Sequence, residues 1–452
     1  MSSLGDMWIL IGVLLTVVFF GVHVAVALGM TAVLGIYLMT RDFHTVYTFI
    51  GGTAYEALRD YVFAVIPLFM LMGEFLGKCG AASDLYALIN RITRRIPGRL
   101  AIATVLANAV FAFVTGVSIA AAAAFSRIAY PEMKKNGYDR RFALGCIAGS
   151  ACLGMLIPPS VLMIVWGVLT EQAIGKLFIA GIIPGFIVVF FYCLYIFWVA
   201  IAHPEIVGEG VEARRARAEA AAAADGTGPS LAAVFWSTMA VLMLVFGTLG
   251  GIWFGLFTPT EGAGVGAALA LLLAIAKGLR VKAMFEVVLS VGRTSAPLLL
   301  LLFTAQLYSR TLSMTGITGA AKEFFLTSGL GPYAVLAIMV GVWFVLGCLI
   351  DSISIILLTV PVFAPIAMAL GFDPIAFGIL GILAIEVGLL TPPFGILVFT
   401  VRAALPQEAT VGEIFRAAVP YWVCLMAVIV TIAIYPKLAT WLPNLGNVVI
   451  AK

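Results

Sequence analysis

The chain has 452 residues, of which 63% are hydrophobic and 11% are charged, and its formal net charge is +4. Soluble domains average roughly 45–50% apolar and 25% charged residues, so this composition excludes an ordinary soluble protein. Uncharged apolar runs such as 101–126, 177–202 and 231–260 are long enough to cross the ~30 Å hydrocarbon layer as helices. We therefore predict an all-α polytopic membrane protein that forms one integral domain.

The N-terminal segment has neither a basic stretch nor a small-residue cleavage site, so we interpret it as the first membrane helix. A weakly amphipathic stretch follows at 41–60, and a similar one lies at 279–293. Arg59 and Arg293 take corresponding places in the two stretches (293 − 59 = 234). We expect both stretches to lie near the membrane plane as brace helices.

Two clusters of basic residues lie close together in the first half of the chain, at 91–99 and 127–141. The positive-inside rule places both on the cytoplasmic side of the membrane. The roughly 30 residues between them are too few for two full crossings and a turn. We therefore predict a re-entrant helical hairpin at about 100–130, with its tip at the small polar sequence from Thr115 to Ser118.

An interrupted helix is predicted after this hairpin. The apolar stretch at about 142–170 contains two consecutive prolines, Pro158 and Pro159. Two prolines remove two backbone donors and leave carbonyl groups one turn earlier without partners. We expect a broken membrane helix here, with its break at the prolines.

The second half of the chain repeats this pattern. Residues 115–166 align with 349–400 without a gap, at a constant offset of 234 (392 − 158 = 234). The shared Gly and Pro residues matter most because they set backbone shape. The identical pairs include Ser118/Ser352, Ile119/Ile353, Pro131/Pro365, Gly137/Gly371, Asp139/Asp373, Gly154/Gly388, Pro158/Pro392 and Pro159/Pro393.

A polar, Ala-rich segment at 203–230 separates two repeats, 1–202 and 231–452, and we predict that it is a cytoplasmic linker. The second repeat should contain a hairpin at about 331–371 and a broken helix at about 374–401. Residues 324–401 contain no Lys, Arg or His, so the mouth of this hairpin carries no cytoplasmic signal. The two repeats are therefore predicted to have inverted topology. Paired interruptions in such repeats are typical of a transporter with its site at the interruptions.

Freed carbonyls, hydroxyls and carboxylates at a tip and a break would form an oxygen cage that suits an alkali cation such as Na⁺. We assign two mirrored Na⁺ sites and a substrate position between the tips. The first Na⁺ site comprises Thr115, Gly116, Ser118, Gly154 and Pro158, the second comprises Gly347, Asp351, Ser352, Gly388 and Thr391, and the substrate residues are Ser118, Ser352 and Ser354.

The residues at the breaks and tips could also have purely structural roles. The paired prolines could only kink a packed helix, and Asp351 could cap the outgoing helix of its hairpin. Glu386 is a second intramembrane acid, and it could serve either a site or an inter-helix hydrogen bond. Its counterpart at the offset of 234 is Cys152, so Glu386 cannot belong to a symmetric ligand set.

Enzymatic motifs are missing from the sequence. It has no HExxH, no G-x-S-x-G and no P-loop, so it is not predicted to be an enzyme or, by itself, an ATP-driven pump. Its six cysteines have no CxxC spacing, and its three histidines are isolated, so a metal centre or a histidine proton relay is not expected. No cofactor and no nucleic-acid partner are predicted.

Four motifs together resemble the DctM-like large membrane subunit of tripartite ATP-independent periplasmic (TRAP) transporters. They are GMLIPPSVLMIVWG, LIDSISIILLTVPVFAPIA, EVGLLTPPFGILVF and FTPTEGAGVGA. The resemblance implies a secondary transporter of the bacterial inner membrane that is driven by Na⁺ and works by an elevator mechanism. It also implies a small four-helix membrane subunit and a periplasmic binding protein that delivers an organic acid, such as a C4-dicarboxylate, sialic acid or another carboxylate.

The chain departs from the family pattern at the first tip, where VTGVS stands in place of an ISGSS-like sequence and Val117 lacks a hydroxyl. The linker also looks longer than usual. One alternative is a Na⁺/dicarboxylate symporter that needs no binding protein, because broken-helix repeats alone do not separate the two. A channel-like membrane scaffold is an alternative from another functional class.

Overall fold

The computed structural model describes residues 3–208 and 231–450, so most of the predicted linker, from 209 to 230, lies outside the described residues. The described residues form helices joined by short connections, with one isolated β-bridge between Tyr138 and Val207. Eight helical segments among them are long and apolar enough to cross a membrane. The predicted all-α polytopic fold is confirmed.

The described helices of the first half include two short 3₁₀ helices, Tyr61–Ala64 and Thr93–Arg95. The α-helices are α1 Ser3–Phe19, α2 Val24–Thr40, α3 Phe43–Arg59, α4 Val65–Lys78, α5 Ala81–Ile92, α6 Arg99–Thr115, α7 Ser118–Lys135, α8 Arg140–Ala151, α9 Leu153–Leu156, α10 Val161–Thr170 and α11 Ile174–Ala202. In the second half they are α12 Leu231–Trp253, α13 Pro259–Ala276, α14 Val281–Met314, α15 Ile317–Thr327, α16 Pro332–Gly347, α17 Ser352–Ala369, α18 Pro374–Gly388, α19 Ile396–Ala404, α20 Val411–Ile434 and α21 Lys437–Ile450.

The helix boundaries follow the same offset as the sequence repeat. Helix α7 begins at Ser118 and helix α17 at Ser352 (352 − 118 = 234). The turns that follow these helices contain Gly137 and Gly371, whose φ angles are 75° and 84°, a region that favours glycine. Asp139 and its counterpart at position 373 then cap the next helices through their carboxylates. The shared residues therefore fix where each copy turns and restarts.

Contacts between the two broken helices show that they run in opposite directions. Arg140 and Arg141, at the start of α8, pair with Glu413, which follows the end of α19. At the other end, Trp166 of α10 packs edge-to-face on Phe377, near the start of α18. The start of one broken helix thus meets the end of the other, which is the arrangement of an inverted repeat.

The two predicted brace stretches differ in the structure. The first forms a separate amphipathic helix, α3, whereas the second is the beginning of the continuous helix α14. Asp60 explains the difference, because it is extended and accepts a hydrogen bond from the amide of Val62, which separates α3 from α4. The corresponding Thr294 donates to the carbonyl of Ser290 within its own helix, so α14 continues. The second stretch is thus not a helix of its own, and the expectation that both stretches lie near the membrane plane stays a prediction.

Aromatic packing joins the halves in the interior. Trp166 and Trp343 are fully buried, with ring centroids 5.9 Å apart. A Cβ atom on Gly381 would lie 2.7 Å from the Trp166 ring, so only glycine lets α18 approach this closely. Replacing such a buried Trp by Ala typically costs ~3–5 kcal/mol. This contact holds α10, α16 and α18 together. Farther out, α4 packs on α13, and α2 packs on α14.

Candidate functional site

The first hairpin turns at a tip of two residues. Helix α6 ends at Thr115 because Gly116 adopts a left-handed conformation, with φ 61°, and donates its amide to the carbonyl of Ala112. Val117 is extended, and α7 begins at Ser118. The Thr115 hydroxyl donates to the Phe111 carbonyl at 3.2 Å, so its proton is used within its own helix.

The break in the first half lies between α9 and α10, where the Pro158–Pro159 peptide is cis. Ser160 follows the prolines and caps α10, accepting from the amide of Met163 at 3.4 Å. Its hydroxyl donates to the carbonyl of Met155. One carbonyl near the break therefore already accepts a hydrogen bond from a side chain of the protein, although a carbonyl oxygen can accept a second hydrogen bond.

The tip and the break of the first half are in close backbone contact. A Cβ atom on Gly154 would lie 2.8 Å from the Cα atom of Ser118, and one on Gly116 would lie 2.4 Å from the Pro159 carbonyl oxygen. The amide of Val161 donates to the Gly116 carbonyl at 3.3 Å. The residues assigned to the first Na⁺ site therefore lie together.

The second hairpin turns at a longer tip, between Gly347 at the end of α16 and Ser352 at the start of α17. Asp351 caps α17, and its carboxylate accepts from both the amide and the hydroxyl of Ser354. This is the capping role considered for Asp351, and it leaves the residue exposed at the tip. The side chains of Ser352 and Ser354 are buried.

The break in the second half carries a second cis peptide, between Pro392 and the proline that follows it. Gly347 and Gly388 cross so closely that a Cβ atom on Gly388 would lie 2.4 Å from the Cα atom of Gly347. Thr391 donates its hydroxyl to the Gly388 carbonyl at 2.9 Å and lies 2.9 Å from the sulfur of Cys348. Three of the five residues assigned to the second Na⁺ site, Gly347, Gly388 and Thr391, thus lie together.

One side chain of the second half reaches the first tip. The Ser118 hydroxyl donates to Oε2 of Glu386 at 2.8 Å. The sulfur of Cys152 lies 3.7 Å from the Glu386 backbone carbonyl oxygen. Cys152 and Glu386 are counterparts in the repeat (386 − 152 = 234). Counterparts that touch each other must lie at the pseudo-twofold axis, so Glu386 is at the centre of the repeat.

The two breaks differ in exposure. Pro158 and Ser160 are buried, whereas Pro392 and Phe394 are exposed, Phe394 by 60%. Cavities of about 490 Å³ and 510 Å³ lie elsewhere, and Ser118, Ser352 and Ser354 line neither of them. The substrate position between the tips therefore stays a prediction.

The oxygen atoms at the tips suit a hard cation of low charge, since they come from carbonyls, hydroxyls and single carboxylates. Among the described residues, no group of three or more His, Cys, Asp or Glu side chains could hold a metal ion. This set of donors fits Na⁺ better than a transition metal.

At the base of the first hairpin, Glu408 of the second half accepts hydrogen bonds from Lys134 at 2.8 Å and from the hydroxyl of Tyr130 at 2.6 Å. These bonds, with that from Lys134 contributing most, hold the pKa of Glu408 below its usual range. The connection after α19 is thus fastened to the end of α7.

Sequence reasoning missed two residues of the site. Ser160 carries an N-cap signature, a serine directly before an apolar helical run, and this signal could have identified it. Cys348 offered no comparable signal, because its partner Thr391 is 43 residues away.

A family model described as "Tripartite ATP-independent periplasmic transporter, DctM component" matches residues 11–438. A C4-dicarboxylate TRAP transporter large permease protein, DctM of Pseudomonas aeruginosa, is 33% identical over 394 residues, which cover 86% of this chain and 88% of that protein. The sialic acid TRAP transporter large permease protein SiaM of Vibrio cholerae is 27% identical over 390 residues, 86% of this chain and 87% of that protein. The crystal structure of the YdaH transporter of Alcanivorax borkumensis, which has an unusual topology, superposes on this chain with a TM-score of 0.61 and covers 90% of both chains. The two sequences are 16% identical, so the similarity shows the fold alone.

Proposed function

Since this chain belongs to the DctM component family of tripartite ATP-independent periplasmic transporters, we propose that it imports an organic acid across the bacterial inner membrane by coupling to Na⁺. It is the large permease subunit of such a system. The observation that carries the proposal is the duplicated unit in which a hairpin tip lies against a Pro-Pro break, in opposite orientations. Such units supply the half-helix ends and unwound carbonyls from which transporters build ion and substrate sites.

The N-terminal ends of two helices and the names of two relatives support an organic acid as the substrate class. Helices α7 and α17 begin at the tips, and their N-terminal amides favour a negatively charged group. Two relatives carry C4-dicarboxylate and sialic acid in their names, and both of these compounds are carboxylates. We therefore assign an organic acid as the substrate, held between Ser118 of the first tip and Ser352 and Ser354 of the second.

The family description implies further subunits. We propose that the permease works with a small four-helix membrane subunit and receives its substrate from a periplasmic binding protein, with the lipid bilayer around its exposed apolar helices. The absence of enzymatic motifs agrees with a permease that draws on an ion gradient.

We further propose an elevator movement, in which residues of about 63–176 and 294–402 move as one body. The buried contact of Trp166 with Trp343 and the bond from Ser118 to Glu386 both lie inside this body and join its two parts. Paired spin labels should therefore show constant distances between the tips and changing distances from the tips to α12. The reverse result would indicate a gated pore.

The decisive experiment is uptake into proteoliposomes that contain the permease and its small subunit, with the binding protein added outside. Uptake of a radiolabelled organic acid should require an inward Na⁺ gradient. Equal uptake in K⁺ buffer under a proton gradient alone would contradict Na⁺ coupling. Uptake that needs no binding protein would favour the simpler symporter, and a flux that never accumulates substrate against its gradient would favour the channel-like scaffold.

A further inference from the structure

Glu386 is a fully buried carboxylate with an incomplete set of partners. Its Oε2 atom accepts one hydrogen bond, from Ser118, whereas its Oε1 atom has no hydrogen-bond partner among the residues that the structure describes. No ion pair among the described residues includes Glu386. A buried carboxylate within the membrane is costly unless a partner compensates its charge, so the free Oε1 atom calls for a ligand.

The two tips differ in where a negative charge is available. In the second tip, Asp351 directly precedes Ser352, whereas the counterpart of Asp351 in the first tip is Val117 (351 − 117 = 234). The first tip therefore has no carboxylate of its own. Glu386 brings one to Ser118 from the opposite half of the protein.

The direction of the Ser118 hydrogen bond suits cation binding. A serine hydroxyl has one proton and two lone pairs, and here the proton is donated to Glu386. The lone pairs then remain for a cation, while the carboxylate supplies the charge that hydroxyls and carbonyls lack. Carboxylate, hydroxyl and carbonyl oxygens are the ligands that hard cations prefer.

We propose that Glu386 binds the coupling cation of the first tip, with its Oε1 atom and the Ser118 hydroxyl oxygen as ligands beside the Gly116 backbone. The proposal rests on the Na⁺ coupling proposed above, and it replaces a ligand set confined to one repeat with one that spans both. A cation bound there joins the start of α7 to the end of α18 across the pseudo-twofold axis. Its loss would loosen the contact between the halves.

The test measures Na⁺ binding without transport. Thermal unfolding of the purified permease in detergent is followed while NaCl replaces KCl at constant ionic strength. In the parent, the unfolding midpoint should rise with Na⁺. Glu386→Gln keeps an acceptor for Ser118 but removes the charge, so its half-saturating Na⁺ concentration should rise at least about tenfold. Adding Val117→Asp to Glu386→Gln places a carboxylate where the second tip has one, and should restore part of the affinity.

Cys146→Ala is the control, because it removes a buried thiol whose sulfur meets the carbonyl of Ala101 instead of Glu386, and its Na⁺ response should equal that of the parent. A Glu386→Gln variant with unchanged half-saturation and a shifted midpoint without Na⁺ would make Glu386 a structural hydrogen-bond partner and overturn the proposal. If Glu386→Gln does not fold, Ser118→Ala takes its place in the test. An unchanged half-saturating Na⁺ concentration in Ser118→Ala would overturn the proposal equally. A parent that shows neither Na⁺ stabilisation nor Na⁺-dependent uptake would refute Na⁺ coupling itself, whereas failure confined to the variants leaves that coupling standing.

Discussion

In the first half of the permease Ser118 of the tip and Ser160 of the break are shielded completely, whereas in the second half Asp351 of the tip and Phe394 of the break are exposed. Both units share a hairpin, a Pro-Pro break and a glycine four residues before the first proline that lets the backbones of tip and break approach closely. The side chains that surround these devices differ. The first tip bonds to a carboxylate from the other half, and the second carries its own.

The difference shows that the two repeats share their backbone geometry, whereas the side chains around the tips and breaks differ in charge and polarity. Gly and Pro are retained at corresponding places because the backbone needs them, whereas Val117 and Asp351, or Cys152 and Glu386, need only fit the same space. The second break is also more exposed than the first in this structure. Four measurements test this difference between the two halves.

The largest effect is expected where the backbone contact is tightest. Gly116→Ala forces a side chain into a left-handed residue and brings its Cβ atom 2.4 Å from the Pro159 carbonyl oxygen. We expect a loss of ~3 kcal/mol or more in the free energy of unfolding, measured by thermal denaturation in detergent. Gly371→Ala is the control, because its φ is 84° but nothing lies within 4 Å of the new atom. Equal losses of unfolding free energy in both variants would show that the close backbone contact at the tip adds nothing to the cost of the substitution.

The second measurement tests the difference in exposure. In a cysteine-free background, Phe394→Cys should react with a water-soluble maleimide at least about tenfold faster than Ser160→Cys, which corresponds to ~1.4 kcal/mol for opening the buried site. The physical reason is that Phe394 is 60% exposed and Ser160 is fully buried. Equal reactivity would mean that the two breaks exchange exposure rapidly, and the asymmetry would then not describe a stable state.

The third measurement separates a helix cap from an ion ligand in the second tip. Asp351→Ala and Asp373→Ala both remove an N-cap and should each cost ~1 kcal/mol of stability. Only Asp351→Ala, together with Ser352→Ala and Thr391→Ala, should raise the Na⁺ half-saturation of uptake. Asp373 caps the helix that begins away from the tip, which makes it the matched control. If all three tip variants kept the Na⁺ half-saturation of the parent, the second Na⁺ site would have to be abandoned.

The smallest effect concerns the ion pair between Glu408 and Lys134, which fastens the second half to the first hairpin. The pKa of Glu408 is lowered in the folded protein, so its contribution is present above the ordinary value of 4.5 and is lost as the pH falls through the lowered value. Glu408→Gln should cost ~0.5 kcal/mol at pH 7, and the difference from the parent should vanish at strongly acidic pH. Glu323→Gln, which removes an exposed carboxylate of α15, is the control for the loss of one surface charge.

Much of the architecture could be predicted from local signals. The small polar sequence at Thr115–Ser118 coincides with the gap between α6 and α7, and the Gly and Pro pairs coincide with turns and breaks, because such residues determine backbone conformation directly. The sequence did not show that the second brace stretch continues into the next helix, because one side-chain cap at Asp60 separates two helices that Thr294 leaves joined.

The side-chain contacts of the site could not be predicted in the same way. The bond from Ser118 to Glu386 joins residues 268 positions apart, and no spacing in the sequence encodes it. It depends on how the repeats dock, which is decided by packing such as that of Trp166 on Phe377. The exposure of the second break likewise reflects the arrangement of whole helices and not the residues at the break.

The contact between Cys152 and Glu386 also bears on the origin of the fold. If a single repeat once paired with an inverted copy of itself, both copies would have carried the same residue at this position, and the two residues would have been neighbours. Two carboxylates placed there would repel each other and resist ionisation together. Only after duplication and fusion into one gene could one copy keep an acid while the other became a cysteine. A lone charge on the axis is therefore a property that a fused chain can evolve and a symmetric homodimer cannot.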